Sequence, residues 1–183
     1  MKIQVSLSAK RLSQEEYIQQ MIDSGLKPLG EGNYGTVFPH PTDKKYVIKV
    51  STCDTSESDS YAWLKWCMEN PNLYVPHVRS LERVGKQYYI AEMERLKPAS
   101  HAGLEKFINS SGLNQVLQIS KFVPIRWDMH PQHIDAIQDK VLSRLMKTLH
   151  RLSIKHQNRH GLDITAENIM RRGSQFVFSD PIV

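Results

Sequence analysis

The feature that most constrains this chain is the glycine-rich run GEGNYGTV at 30–37, which has the spacing GxGxxGxV. Glycine lets a backbone approach phosphate groups closely and adopt positive φ without cost. The same spacing introduces a helix in dinucleotide-binding folds, but Pro39 and Pro41 follow here and cannot open that helix. The run therefore predicts a hairpin between two strands, either a flap over a nucleotide or a plain glycine-rich turn.

The first half of the chain predicts an antiparallel sheet with one inserted helix. After the hairpin, a proline-rich turn at 39–43 leads to the strand YVIKV, and HVRSLERV and KQYYIAEM form a second hairpin that turns at Gly85. The run SESDSYAWLKWCMEN between them predicts a helix. Its apolar face is expected to carry Tyr61, Leu64 and Met68.

Two shorter helices are predicted from local signals. Ser13 and Glu16 form a capping box, which predicts a helix over 14–24. The sheet-forming half is expected to give way to a helical half near 93–98. A second short helix is expected at 101–109, and the sequence assigns no structure to 110–130.

A long amphipathic helix is predicted from Pro131, followed by two short strands at 168–171 and 175–179 that turn at Gly173. The apolar stripe of the helix is expected to contain Ile134, Ile137, Val141, Leu145, Leu149 and Leu152. Its opposite face is expected to contain Lys140, Arg144, Lys147 and Arg151.

Composition limits the function classes. The chain of 183 residues has 24 basic and 19 acidic side chains, a net charge of +5, which suits nucleotides, nucleic acid or an acidic partner, or simply a solvated surface. It has no aromatic-interleaved basic patch, so the sequence does not indicate nucleic-acid binding. Two cysteines without a CxxC motif, no signal peptide and no long apolar stretch predict a cytoplasmic protein without a membrane span.

Four polar residues have types and positions that suit phosphoryl chemistry. Lys49 lies between apolar residues on a strand, where a buried ammonium needs an anion such as phosphate. Asn168 and Asp180 offer the hard oxygen ligands that Mg²⁺ prefers, and Asp163 could orient a hydroxyl and accept its proton. Each residue alone is equally well explained as a turn, cap or surface residue.

The order of these features matches the signature set of protein kinases. Through GEGNYGTV, VIKV, LDITAENIM and FSDP the chain resembles that family. More narrowly, LGEGNYGTVFPHP and VIKV with a closing SDP resemble the early serine/threonine kinases of podovirus-type bacteriophages. The resemblance implies an α+β, minimal kinase-like bilobal fold. Its parts would be an N-terminal helical extension at 1–25, an N-lobe with an antiparallel sheet and one helix at 26–96, and a truncated helical C-lobe at 97–183 that ends just after the metal-binding Asp.

The resemblance also implies residue roles. Asp163 would be the catalytic base, Lys49 would hold the α- and β-phosphates of ATP, and Ala91 would be the gatekeeper. The Mg²⁺ ligands would be Asn168 and Asp180. The implied ATP-binding residues are Leu29, Gly30, Glu31, Gly32, Asn33, Tyr34, Gly35, Val37, Lys49, Glu92, Met93 and Glu94.

The function implied is a Mg²⁺- and ATP-dependent serine/threonine protein kinase, phage-encoded and acting on host proteins in the host cytoplasm. The family's HRD motif is HGLD here, without the arginine that reads a phosphorylated activation loop, which implies constitutive activity. Thr165 replaces the family's lysine, and Pro181 and Ile182 replace the last two residues of DFG. Neither Glu57 nor Asp59 is a clean match for the acidic partner of Lys49.

Two other functions stay open from the sequence. The absent later C-lobe and Thr165 favour a non-catalytic, pseudokinase-like protein that binds and inhibits a host partner through the basic face of the long helix. The run HGLD is also similar to the HGD of aminoglycoside-type small-molecule phosphotransferases. Those enzymes build their substrate site from a large helical C-terminal region, which this sequence lacks.

Overall fold

A computed structural model describes residues 12–32, 34–53, 59–119, 127–129, 131–155 and 168–181. The chain divides into two units, Met1–Glu69 with His77–Arg95, and Asn70–Pro76 with Leu96–Val183. The domain boundaries expected from the sequence stay predictions. Among the described residues, no helix has the length and apolar character needed to cross a bilayer.

In the part of the chain that the structure describes, the first unit consists of α1 (Gln14–Asp23), β1 (Gly30–Gly32), β2 (Gly35–Pro39), β3 (Tyr46–Thr52), α2 (Asp59–Glu69), β4 (Val78–Val84) and β5 (Tyr88–Glu94). Its strands form an antiparallel five-stranded sheet in the order β1-β2-β3-β5-β4. The predicted class, α+β with an antiparallel sheet and an inserted helix, is confirmed.

Helix α1 begins at the predicted capping box. The Ser13 hydroxyl accepts a hydrogen bond from the Glu16 amide at 3.2 Å, and the Glu16 carboxylate accepts one from the Ser13 amide at 2.7 Å. Tyr17 and Met21, four residues apart on one side of the helix, are buried in the core of the first unit. The sheet residues of that core are Phe38, Ile48, Val50, Val84, Tyr88 and Ile90. The helix expected as an extension is therefore part of this core.

Helix α2 buries a different stripe from the one predicted. Trp63, Leu64 and Cys67 are fully buried, whereas Met68 is 43% exposed, so the assignment of Met68 to the apolar face was wrong. The reason is helical phase, because a residue directly after Cys67 points about 100° away from it. Tyr61 is half-buried, and its ring packs edge-on against Tyr89 at 5.6 Å.

The described residues of the second unit form β6 (Lys97–Pro98), α3 (His101–Ser110), β7 (Leu117–Ile119), β8 (Trp127–Met129), α4 (Lys140–Lys155), β9 (Ile169–Arg172) and β10 (Gln175–Phe178). These strands make two small antiparallel sheets, one in the order β10-β9-β6 and one that pairs β7 with β8. The predicted turn between β9 and β10 is confirmed, with Gly173 at a φ of 62°.

Helix α4 starts later than predicted. A 3₁₀ turn, Pro131–Ala136, comes first, and the α-helix begins after Asp139. The change of element resets the helical phase, so the buried stripe of α4 is Leu142, Leu145, Met146 and Leu149. Val141 is 39% exposed, and its prediction as a core residue was wrong. The basic face is confirmed as exposed along Lys140, Arg144, Lys147 and Arg151.

The segment Asn70–Pro76 belongs to the second unit although its flanking residues belong to the first. The Arg172 guanidinium donates hydrogen bonds to the Leu73 carbonyl at 3.1 Å and to the Val75 carbonyl at 3.0 Å. The Phe178 amide donates to the Tyr74 carbonyl at 2.8 Å. The β9–β10 hairpin therefore holds this segment along its backbone.

Candidate functional site

The strand register places the glycine loop and Lys49 on one face of the five-stranded sheet. Residues directly opposite each other in paired strands lie on the same face. One such row runs from β1 through β2 and β3 to β5 as Gly30, Val37, Lys49 and Ala91. The adjacent row contains Gly32, Gly35, Ser51 and Tyr89. All three glycines therefore lie on the same face of the sheet as Lys49. At residues 30, 32 and 35 the chain has no side chain of its own to cover the backbone of that face.

The three glycines serve different purposes. A Cβ atom at Gly35 would overlap the Val50 carbonyl and lie 2.8 Å from Ser51 Cα, so close approach of β2 to β3 requires glycine there. A Cβ atom at Gly30 would meet no atom within 4 Å, and one at Gly32 only the Gly35 carbonyl at 4.0 Å. None of the three glycines has positive φ. Gly30 and Gly32 therefore differ from Gly35 in the open space around them.

The carbonyl of Tyr34 fixes the base of the glycine hairpin. It accepts hydrogen bonds from the Thr52 amide at 2.7 Å, the Ser51 hydroxyl at 3.0 Å and the Thr52 hydroxyl at 3.2 Å. The Gln14 side-chain amide of α1 donates to the same oxygen at 3.3 Å. The hairpin is thus attached both to β3 and to the N-terminal helix, whereas the Tyr34 side chain is 58% exposed.

Lys49 is half-buried, and its ammonium donates a hydrogen bond to the Ser60 hydroxyl at 3.2 Å. The Ser60 hydroxyl is in turn 2.6 Å from the hydroxyl of Tyr89. The family resemblance implies an acidic partner for Lys49, so Ser60, a neutral residue in the first turn of α2, was not predicted as its partner. Glu57 and the side chain of Asp59 lie outside the described part of the chain.

The predicted ATP-binding residues Glu92, Met93 and Glu94 lie in β5, between β3 and β4. The Glu94 amide donates to the His77 carbonyl at 2.8 Å, as expected for a strand with neighbours on both sides. Glu92 pairs with Ile48, so its side chain is on the face opposite Lys49, where it binds Arg79 at 2.5 Å. Contact of these three residues with ATP stays a prediction.

Asn168 and Asp180 meet at the open end of the β9–β10 hairpin. The Asn168 carbonyl accepts hydrogen bonds from the Ser179 amide at 2.9 Å, the Ser179 hydroxyl at 2.8 Å and the Asp180 amide at 3.3 Å. Both residues are half-buried. Their side chains supply an amide oxygen and a carboxylate, the ligand types that suit Mg²⁺.

Two predicted site residues, Asn33 and Asp163, lie outside the residues that the structure describes. The remaining ATP-binding predictions at the loop, Leu29 and Glu31, are exposed on either side of Gly30. Within the described ranges, no group of three or more His, Cys, Asp or Glu side chains could hold a metal ion.

No protein-family model and no curated protein matches this sequence. Solved structures similar to the chain include the autoinhibited serine kinase domain of the giant muscle protein titin, at 16% identity and a TM-score of 0.40 over 84% of this chain. A structure of Rad53 in complex with AMP-PNP aligns at 15% identity and a TM-score of 0.42 over 87% of this chain. The aminoglycoside phosphotransferase APH(4)-Ia aligns at 14% identity and a TM-score of 0.43 over 94% of this chain.

The chain spans 43% of the titin kinase chain, 38% of the Rad53 chain and 71% of the phosphotransferase chain. All three TM-scores lie below 0.5. The case for a function therefore rests on the shared sheet face of the glycine loop and Lys49 in the first unit, and on the side-chain types of Asn168 and Asp180 in the second.

Proposed function

We propose that this protein is an ATP- and Mg²⁺-dependent protein kinase that transfers the γ-phosphoryl group to serine or threonine hydroxyls. The observation that carries the proposal is the shared sheet face of Gly30, Gly32 and Lys49. A polyphosphate needs a backbone that it can approach closely and a cation beside it. Open space at the two glycines and an ammonium on the same face meet both needs.

The remaining roles follow from the chemistry of the side chains. Lys49 would bind the α- and β-phosphates, and Asn168 with Asp180 would supply oxygen ligands to Mg²⁺. A bound Mg²⁺ neutralises charge on the phosphates during transfer. Asp163 would orient the acceptor hydroxyl and accept its proton, a role that needs only a carboxylate within hydrogen-bond distance.

The proposal extends to regulation and context on the basis of the sequence. The HGLD run lacks the arginine that responds to activation-loop phosphorylation, which supports constitutive activity. The likeness of LGEGNYGTVFPHP, VIKV and the closing SDP to phage kinases supports a phage-encoded enzyme that acts on host proteins in the host cytoplasm.

The test is incubation of the purified chain with γ-labelled ATP, Mg²⁺ and a protein mixture. We expect labelled protein with the wild type and a loss of about a hundredfold or more in Lys49→Met, Asp163→Asn and Asp180→Ala. Lys44→Met is the matched control, since it removes an exposed lysine from the turn before β3 and should retain labelling. Undiminished labelling in Asp180→Ala would contradict the proposal.

The same assay separates the two alternatives. Transfer of label to an aminoglycoside but not to protein would assign a small-molecule phosphotransferase. Absence of any transfer, together with partner binding that Asp180→Ala retains, would assign a non-catalytic binding protein.

A further inference from the structure

A shallow groove of about 520 Å³ runs along the first two turns of α4 in the second unit. Its volume is within the range of sites that bind small ligands or short peptide segments. Ile137 contributes apolar surface to it. The polar residues of this groove, which we call the α4 groove, are Asp135, Gln138, Lys140, Ser143, Arg144 and Lys147.

The charges in the α4 groove are unequal. Lys147 forms an ion pair with Asp135 at 2.5 Å. No carboxylate in the described ranges pairs with Lys140 or Arg144. The nearby carboxylate of Asp139 is already bound by the Tyr74 hydroxyl at 2.6 Å and by two amides at the start of α4. Two exposed cations therefore remain to attract an anionic group.

We propose that the α4 groove binds an acidic segment of another protein, the protein substrate. Only the identification of that protein as the substrate rests on the proposed function. Arginine matches a carboxylate with two parallel hydrogen bonds, which suits glutamate or aspartate at Arg144. The Gln138 side-chain amide can both donate to and accept from a peptide backbone, whereas the Ser143 hydroxyl, which donates to the Ile134 carbonyl at 3.2 Å, can only accept. Among the described residues that line the groove, none is aromatic, so a base would have no ring on which to stack, and a peptide fits better than a nucleic acid.

The proposal is tested by fluorescence anisotropy with the full chain and a short labelled peptide rich in glutamate. The same peptide with glutamine in place of glutamate is the ligand control. We expect Arg144→Glu and Lys140→Glu each to weaken binding about tenfold at about 0.15 M ionic strength, because each loses one attraction and gains one repulsion. Arg151→Glu is the matched protein control, since it makes the same charge change on an exposed position of α4 outside the groove. At about 0.15 M ionic strength, the Debye length of about 8 Å is shorter than the roughly 10 Å of helix between Arg144 and Arg151, so this control should change binding less than threefold.

Three results would overturn the proposal. One is failure of the wild type to prefer the glutamate peptide. Another is equal weakening by Arg144→Glu and Arg151→Glu, which would show attraction by net charge alone. The third is tighter binding of single-stranded RNA than of the peptide with the same dependence on Arg144, which would assign the groove to nucleic acid.

Kinase assays keep this proposal separate from the proposed function. If both hold, Arg144→Glu raises the KM for a serine-containing acidic peptide without changing kcat, and leaves phosphorylation of a neutral peptide unchanged. Peptide binding that depends on Arg144 without phosphoryl transfer would contradict the function and retain the groove. Phosphoryl transfer with a KM that Arg144→Glu leaves unchanged would contradict the groove and retain the function.

Discussion

Gly35 is the residue at which the first unit leaves no room for a side chain. A methyl group would meet the Val50 carbonyl and the Cα and Cβ atoms of Ser51, and backbone atoms cannot move aside cheaply. We expect Gly35→Ala to lower the free energy of unfolding by about 1–3 kcal/mol, the usual cost of overpacking. Urea denaturation followed by tryptophan fluorescence measures this loss.

Gly30→Ala is the control, because its methyl group would enter open space. Its unfolding free energy should stay equal or rise by about 0.5 kcal/mol, since alanine is less flexible than glycine in the unfolded chain. If the two variants lose equal stability, the close approach of β2 to β3 does not explain the requirement for glycine at position 35.

The sequence indicated which residues carry chemistry but not all of their neighbours. Residue type and spacing alone were enough to predict Gly30 and Lys49 as residues of the candidate site. Ser60 and Gln14 escaped notice because each acts through a contact that depends on packing. Ser60 bonds Lys49 across 11 positions, and Gln14 bonds Tyr34 across 20. Serine is common at the start of a helix as a capping residue, so the residue type of Ser60 did not indicate a contact with Lys49.

Among the elements, α1 contacts the glycine hairpin through the Gln14 side chain. The Tyr34 carbonyl has four donors within 3.3 Å but two lone pairs, so losing the most distant donor should cost at most about 1 kcal/mol of stability. We expect Gln14→Ala to act mainly on hairpin mobility. Amide hydrogen exchange of a peptide covering 30–37, followed by mass spectrometry, should become several-fold faster, as about 1 kcal/mol implies.

Gln19→Ala is the matched control for this prediction. Gln19 is on the same helix and bonds the exposed Asp23 side chain at 2.8 Å, away from the hairpin. Exchange of the hairpin should be unchanged in that variant. Equal acceleration in both variants would mean that α1 as a whole, rather than the Gln14 bond, restrains the loop.

The start of α4 makes stability depend on pH. The hydrogen bond from the Tyr74 hydroxyl, with those from the Leu142 and Val141 amides, lowers the pKa of Asp139. A carboxyl group with a lowered folded pKa stabilises the protein above its unfolded pKa of about 3.9, and that stabilisation is lost as the pH falls through the folded value. Acidification below about pH 4 should therefore destabilise the wild type more steeply than Asp139→Asn.

Urea denaturation at a series of acidic pH values measures the difference between these two slopes. Tyr74→Phe keeps the buried ring and removes the largest cause of the pKa shift, so its slope should move toward that of Asp139→Asn. Identical slopes in the wild type and Asp139→Asn would contradict the role of this carboxylate.

The sequence predicted elements well where the signal was local. The capping box, the glycine turns and the strand patterns each specify a boundary within a few residues. The buried faces of α2 and α4 were predicted less well, since Met68 and Val141 are exposed. An apolar residue at helical spacing identifies a helix, but the helix start and the surface against which it packs select the buried stripe.

At the scale of the whole molecule, the chain passes from one unit to the other three times, after Glu69, Pro76 and Arg95. The segment Asn70–Pro76 continues into α2 at one end and β4 at the other while its own contacts are in the second unit. Arg172 lies 99 positions from Leu73, so no local pattern could have predicted this contact. Stability of the second unit should therefore affect both ends of the segment.

Arg172→Ala tests this connection. Removing a charged donor from the Leu73 and Val75 carbonyls should cost about 2 kcal/mol, and releasing the segment also frees the adjoining ends of α2 and β4. Hydrogen exchange in increasing urea should show β3 and α4 peptides losing protection together, at a lower concentration than in the wild type. Arg171→Ala, a change at the exposed neighbour in β9, should leave both transitions in place. A shift confined to α4 would show that the two units unfold independently in spite of the shared segment.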